Sequence, residues 1–76
     1  MSSYVGYVNE QRVTGFELTK RAAETKLNER IHALLSQGYS EVKAHAVKTS
    51  VASFRSFSCE GKEDIELTVV EVQLEN

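Results

Sequence analysis

Four cations are the side chains of this chain best suited to hold a ligand: Lys20, Arg21, Lys48 and Arg55. Lys48 and Arg55 belong to a run, Lys48-Thr49-Ser50-Val51-Ala52-Ser53-Phe54-Arg55-Ser56-Phe57-Ser58, that mixes charge, hydroxyls and two aromatic rings. Such a surface can hold a phosphate and stack a base. Lys20 and Arg21 fall in the first turn of a predicted helix, where the macrodipole favours acids. An anion there would be met by free backbone N–H groups as well as by both side chains. The competing reading is that Glu17 and Glu24 screen the two cations, Glu24 lying four residues after Lys20. Together the four cations define a candidate site for a nucleotide or another phosphorylated molecule.

Metal and nucleophile chemistry find less support. His32, His45 and Cys59 are the natural ligands, but nothing in their spacing forces them to converge. They read as helix-surface and strand-face residues, with Cys59 a small core hydrophobe. Eleven acids are present. General acid-base work needs a desolvated carboxylate in a pocket, and these fall where a turn or a strand already accounts for them. No Gly-x-Ser-x-Gly, phosphate-loop or dinucleotide fingerprint occurs. The sequence therefore predicts no enzyme, no cofactor and no metal.

A chain of 76 residues suffices for one domain, and residues 1–76 read as one continuous unit without proline, repeats or a low-complexity linker. So small a domain buries a modest share of its surface. Disulfides, metal or self-association commonly make up the deficit. A lone cysteine cannot form an intrachain disulfide, and it fits a reducing, cytoplasmic setting. The net charge of -2 argues against a duplex-DNA binder. No apolar run has the length of a membrane span, and the first residues lack the pattern of a signal peptide.

The elements that would position these residues follow from periodicity. Residues 4–8 read as a strand, and residues 12–18 read as either a second strand or the helix lead-in. Ala23, Leu27, Ile31 and Leu34 recur at helical spacing, with Leu35 widening the stripe. Thr19 is the predicted N-cap, and Thr14-Gly15-Phe16-Glu17 is an alternative capping box. Gly38 stands where a left-handed C-terminal cap belongs, which puts the helix at about residues 20–37. Residues 42–59 read as one long, bent strand, 60–64 as a turn and 65–74 as the last strand. The fold class is α+β: an antiparallel sheet of three or four strands with one amphipathic helix on one face.

Charge and apolar pattern divide the terminal hairpin. Residues 42–59 carry Lys43, Lys48 and Arg55 and no acid, whereas residues 60–76 carry six acids against Lys62. Pairing of the basic strand with the acidic strand is the expected use. The apolar register also changes parity, from Ile65, Leu67 and Val69 to Val70, Val72 and Leu74. Phe57 and Cys59 give way likewise to Phe54 and Ala52. Either a bulge keeps one face apolar, or the ribbon is apolar on opposite faces at its two ends. In the second case one helix cannot cover both, and Phe54, Phe57, Val70, Val72 and Leu74 become candidate interface residues.

The order of strand, helix and long hairpin resembles that of dodecins, small flavin-storing shells. The likeness covers topology and length. Dodecins hold flavin with a tryptophan, and this chain has none, so no flavin role is carried over. The likeness implies that such an arrangement can assemble into an oligomer. The expected function is a non-enzymatic, self-associating binding module that acts as adaptor or inhibitor of a partner protein. The alternatives are an oligomeric sequestering protein for a phosphorylated small molecule and, more weakly, a single-stranded nucleic-acid binder.

Overall fold

The computed structural model describes residues 2–73. One helix lies against one face of a six-stranded antiparallel sheet. The strands are β1 (Ser2–Val8), β2 (Gln11–Arg12), β3 (Ser40–Glu41), β4 (Val47–Lys48), β5 (Ala52–Ser58) and β6 (Ile65–Gln73), and the helix is α1 (Lys20–Ser36). The sheet order is β2-β1-β6-β5-β3, with β4 also paired to β5.

Both ends of α1 are set by local chemistry. The Thr19 hydroxyl accepts from the Ala22 N–H at 3.0 Å and caps the first turn. At the other end Gly38 takes φ 95°. The Gly38 N–H then donates to the Leu35 carbonyl and the Tyr39 N–H to the Leu34 carbonyl, so carbonyls of the last turn are satisfied. The Thr14 alternative is not used: the Thr14 hydroxyl accepts from the Gly6 N–H and donates to the Gly15 carbonyl. Ala23 and Leu27 are buried and Ile31 and Leu34 half-buried against Leu67, Val69, Phe57 and Tyr39. Leu35 is exposed and lies outside the stripe.

Residues 12–18 are neither helix nor a full strand. A turn at Asn9, whose φ is 55°, starts the short β1–β2 pairing. The chain then runs beside β1, touching it again where Tyr4 and Glu17 exchange two backbone hydrogen bonds. Gly6 lies between these contacts because a side chain would not fit: a Cβ there would stand 2.9 Å from Thr14 Cγ2 and 3.2 Å from Leu27 Cγ.

The expected three or four strands are six, and the difference lies in residues 40–58. The long strand read from sequence is a hairpin. Its turn carries no glycine, proline, asparagine or aspartate; the Thr49 N–H donates to the Ala52 carbonyl, and the Thr49 hydroxyl reinforces the closure by bonding both the N–H and the carbonyl of Ala52. The strand before that turn is itself interrupted. Between Glu41↔Phe57 and Val47↔Phe54 one side advances six residues and the other three, so three residues loop out in a 3-10 turn at Lys43–His45. Alternation of apolar and polar residues does not reveal such a loop.

Candidate functional site

The β5–β6 ladder runs unbroken from Ala52↔Val70 to Phe57↔Ile65, with no bulge between. The two parity changes are therefore opposite one another, and the apolar set changes face. On the helix side lie Gly6, Val8, Ser53, Arg55, Phe57, Ile65, Leu67 and Val69, placed by the registers of β1, β5 and β6. Phe57 is 1% exposed there, in the core under α1.

The opposite face has a different make-up. Tyr7, Thr68, Phe54 and Val47 form one row across four strands. Val5, Val70 and Ala52 form the next, and Ser3 and Val72 the one after. These nine positions hold no charged residue, and on the other side of the first row the same face carries the Ser56–Glu66 pair, with Glu66 exposed. Arg12 stands at the end of the first row, opposite Tyr7. Its guanidinium carbon is 5.2 Å from the Phe16 ring centroid, which puts that ring on this side as a flank. Among the described residues no helix covers this face; Phe54 and Val47 are 41% and 51% exposed, whereas Val5 and Ser3 are buried. Of the interface residues expected from sequence, Phe54, Val70 and Val72 lie here and Phe57 does not; Leu74 lies outside the described residues.

The four cations are only partly brought together. Beside the looped-out Lys43–His45 turn, between α1 and the β4–β5 hairpin, lies an open cleft of about 290 Å³. Lys48, Arg55 and Ser53 line it together with Glu24 and Glu41. Lys20 reaches its neighbourhood by donating to the Thr49 carbonyl at 2.7 Å. Arg21 is exposed and is not among the lining residues. Arg55 is bound in a two-pronged grip, Nε and Nη2 donating to the Glu41 carboxylate at 2.9 and 2.7 Å. The Arg55 hydrogen bonds hold the Glu41 carboxyl below its usual range, against the opposing effect of partial burial. In return the Glu41 hydrogen bonds raise Arg55 further. The cleft is thus a mixed-charge site with its strongest cation already paired.

That pairing also corrects the expected use of charge along the hairpin. Arg55 sits opposite Leu67 of β6, and its acid comes from β3. The other ion pair among the described residues is Lys26–Glu17, so none joins β5 to β6. Phe54 and Phe57 point to opposite faces of β5, so the two rings do not form one stacking surface. Among the described residues no three His, Cys, Asp or Glu side chains gather as a metal site, and no helix is long and apolar enough to cross a membrane.

A smaller polar cluster lies past the start of α1. The Glu71 carboxylate accepts from Ser2 at 3.1 Å, Tyr4 at 3.2 Å and Gln73 at 2.7 Å. Partial desolvation first, and the Glu71 charge second, push the Tyr4 phenol above its ordinary value. Where the sheet outruns α1, its helix side becomes polar and its other side apolar. The chain matches no protein family model, no curated protein and no solved structure.

Proposed function

We propose that this chain is a non-enzymatic binding module that self-associates and acts as adaptor or inhibitor of a partner protein. One observation carries the reading: on the sheet face away from α1 the rows Tyr7-Thr68-Phe54-Val47 and Val5-Val70-Ala52 are largely apolar, and Phe54 and Val47 there stay 41% and 51% exposed. Apolar patches of this kind mark protein interaction sites on small soluble domains. The half-buried free thiol of Cys59 supports placing the module in the cytoplasm. Native mass spectrometry over a range of chain concentrations tests the reading. Assemblies of several chains with no retained ligand are expected; a single chain at every concentration refutes self-association.

A second reading rests on the cleft. Lys48 and Arg55 at its wall favour a sequestered phosphorylated small molecule, a nucleotide among them. It requires Arg55 to exchange Glu41 for the ligand. Calorimetry with a nucleotide panel tests it: saturable heat that is lost in Lys48→Ala supports sequestration, and no heat from any member removes it.

A further inference from the structure

We infer that the cleft between α1 and the β4–β5 hairpin binds a small zwitterion of the amino-acid type. Its acid group lies at Lys48 and Ser53, its ammonium at Glu24, and a short aliphatic branch reaches toward Leu27 and Ile31. The inference rests on the second reading above, that the cleft takes a small molecule, and narrows the class: the ligand carries an ammonium as well as an acid group.

Register and helical spacing build the two walls. On the helix side of the sheet Lys48, Ser53 and Val69 stand in one row, and Arg55 and Leu67 in the next. Facing them is a stripe of α1 made of Glu24, Leu27, Asn28 and Ile31, spaced so that they share one side of the helix. Beside the open cleft a narrower recess of about 40 Å³ runs between these walls onto Leu27, Ile31, Leu67 and Val69. Glu24, Ser53 and Arg55 line both spaces, so the two form one site with a polar mouth and an apolar end. The recess has room for about three heavy atoms, the size of an isopropyl group.

Two further observations choose the ligand. The first is Ser53, which is only 8% exposed and whose hydroxyl makes no hydrogen bond among the described residues. No fully buried side-chain oxygen among those residues lacks a partner. The Ser53 hydroxyl is therefore the part of the residue that opens into the site, where it can donate to an acid group. Lys48 is its cross-strand neighbour on the same face and supplies the counter-charge. The second is the balance of charge. Glu24 and Glu41 oppose Lys48 and Arg55 in the lining, and Glu41 and Arg55 already satisfy one another. Glu24 on the helix wall and Lys48 on the hairpin wall make no ion pair among the described residues. A purely anionic ligand would answer Lys48 and be repelled by Glu24. A zwitterion answers both, and the Glu41–Arg55 grip stays in place.

Titration of the full chain, followed by amide NMR shifts, tests the inference with matched probes. These are L-valine, its phosphonate counterpart, isovalerate, which lacks the ammonium, and isobutylamine, which lacks the acid group. Saturable shifts around Glu24, Lys48 and Ser53 are expected from valine or its phosphonate at about millimolar concentration, and the tighter of the two tells carboxylate from phosphate. Isovalerate and isobutylamine should each bind at least ~10-fold more weakly. Glu24→Gln and Lys48→Met, at half-buried and exposed positions, should each weaken the zwitterion by ~10-fold. Glu24→Gln should leave the weaker isovalerate binding unchanged, which a loss of fold would not. Two variants are used so that a folding failure of one leaves the other. Isovalerate that binds as tightly as valine, or zwitterion binding unaltered in both variants, overturns the inference. Shifts from adenosine monophosphate and from neither zwitterion overturn it and leave the phosphorylated-ligand reading standing. No shift from any of these probes at ~10 mM removes the reading of the cleft as a small-molecule site itself.

Discussion

Glu41 and Arg55 meet across β3 and β5 with side chains 20% and 41% exposed, so their pairing is neither fully wet nor fully dry. Removing the acid leaves a half-buried guanidinium without its grip, and Glu41→Gln is expected to cost on the order of 1 kcal/mol near neutral pH. The pH dependence has a definite sign. Arg55 holds Glu41 below its ordinary value of 4.5. The stabilisation is therefore present above pH 4.5 and is lost as pH falls through the lowered value of the folded chain. Urea unfolding at neutral and at acid pH should show a smaller acid loss in Glu41→Gln than in the wild type. Equal acid losses would mean that the pair does not contribute. Gly6 offers a second test at this scale. Gly6→Ala drives a methyl group into Thr14 Cγ2, which cannot swing away because its hydroxyl accepts from the Gly6 N–H. A cost of about 1–3 kcal/mol is expected. Adding Thr14→Ser, which keeps the hydroxyl and drops the methyl, should recover part of it; no recovery would place the strain at Leu27 instead.

Among the elements, α1 and the β4–β5 hairpin depend on threonine hydroxyls for different tasks. Thr19 caps the helix, and Thr19→Ala should lower stability by about 1 kcal/mol with little change in the hairpin. Thr49 closes a turn that holds no glycine, proline, asparagine or aspartate. Thr49→Val keeps the β-branched shape and loses both hydroxyl bonds. Amide exchange should then quicken in β4 and the start of β5 and stay unchanged in α1. Uniform quickening would show that the hairpin opens only with the whole fold. The Thr49 carbonyl also accepts from Lys20, so the hairpin tip is tied to the first turn of the helix. The cleft with Lys48 and Arg55 lies between those two elements, and its width follows from that tie.

For the whole molecule, one helix covers one face of the sheet, and the proposed self-association would cover the exposed Phe54 and Val47 on the other. If folding and association are coupled in this way, thermal stability depends on concentration. A hundredfold rise in chain concentration should lift the midpoint by about 5–10 °C in the wild type. Phe54→Asp should show no such rise. An unchanging wild-type midpoint would mean that the face stays wet in solution. An association through apolar residues such as Phe54 and Val47 should survive added salt, where an association of rim ion pairs would weaken.

Periodicity and cap chemistry were enough to place α1, its Thr19 start and its Gly38 end, because each is decided within a few residues of chain. The same holds for the face change at Val69–Val70: alternation along a strand is a local property, and an unbroken ladder turned it into two apolar faces. Sequence also singled out Phe54, Val70 and Val72, though not which of Phe54 and Phe57 would be covered. That depended on where α1 comes to rest. Tertiary contacts alone decided the rest. The looped-out turn at Lys43–His45 exists because β3 and β4 pair with β5 in two registers, a fact about two strands and not one. Arg55 chose Glu41 over the acids of β6 because β3 lies on its other side. Local bonding leaves its mark on neighbouring residues, whereas register and partner choice are settled by residues far apart in the chain, whose pairing no short stretch encodes.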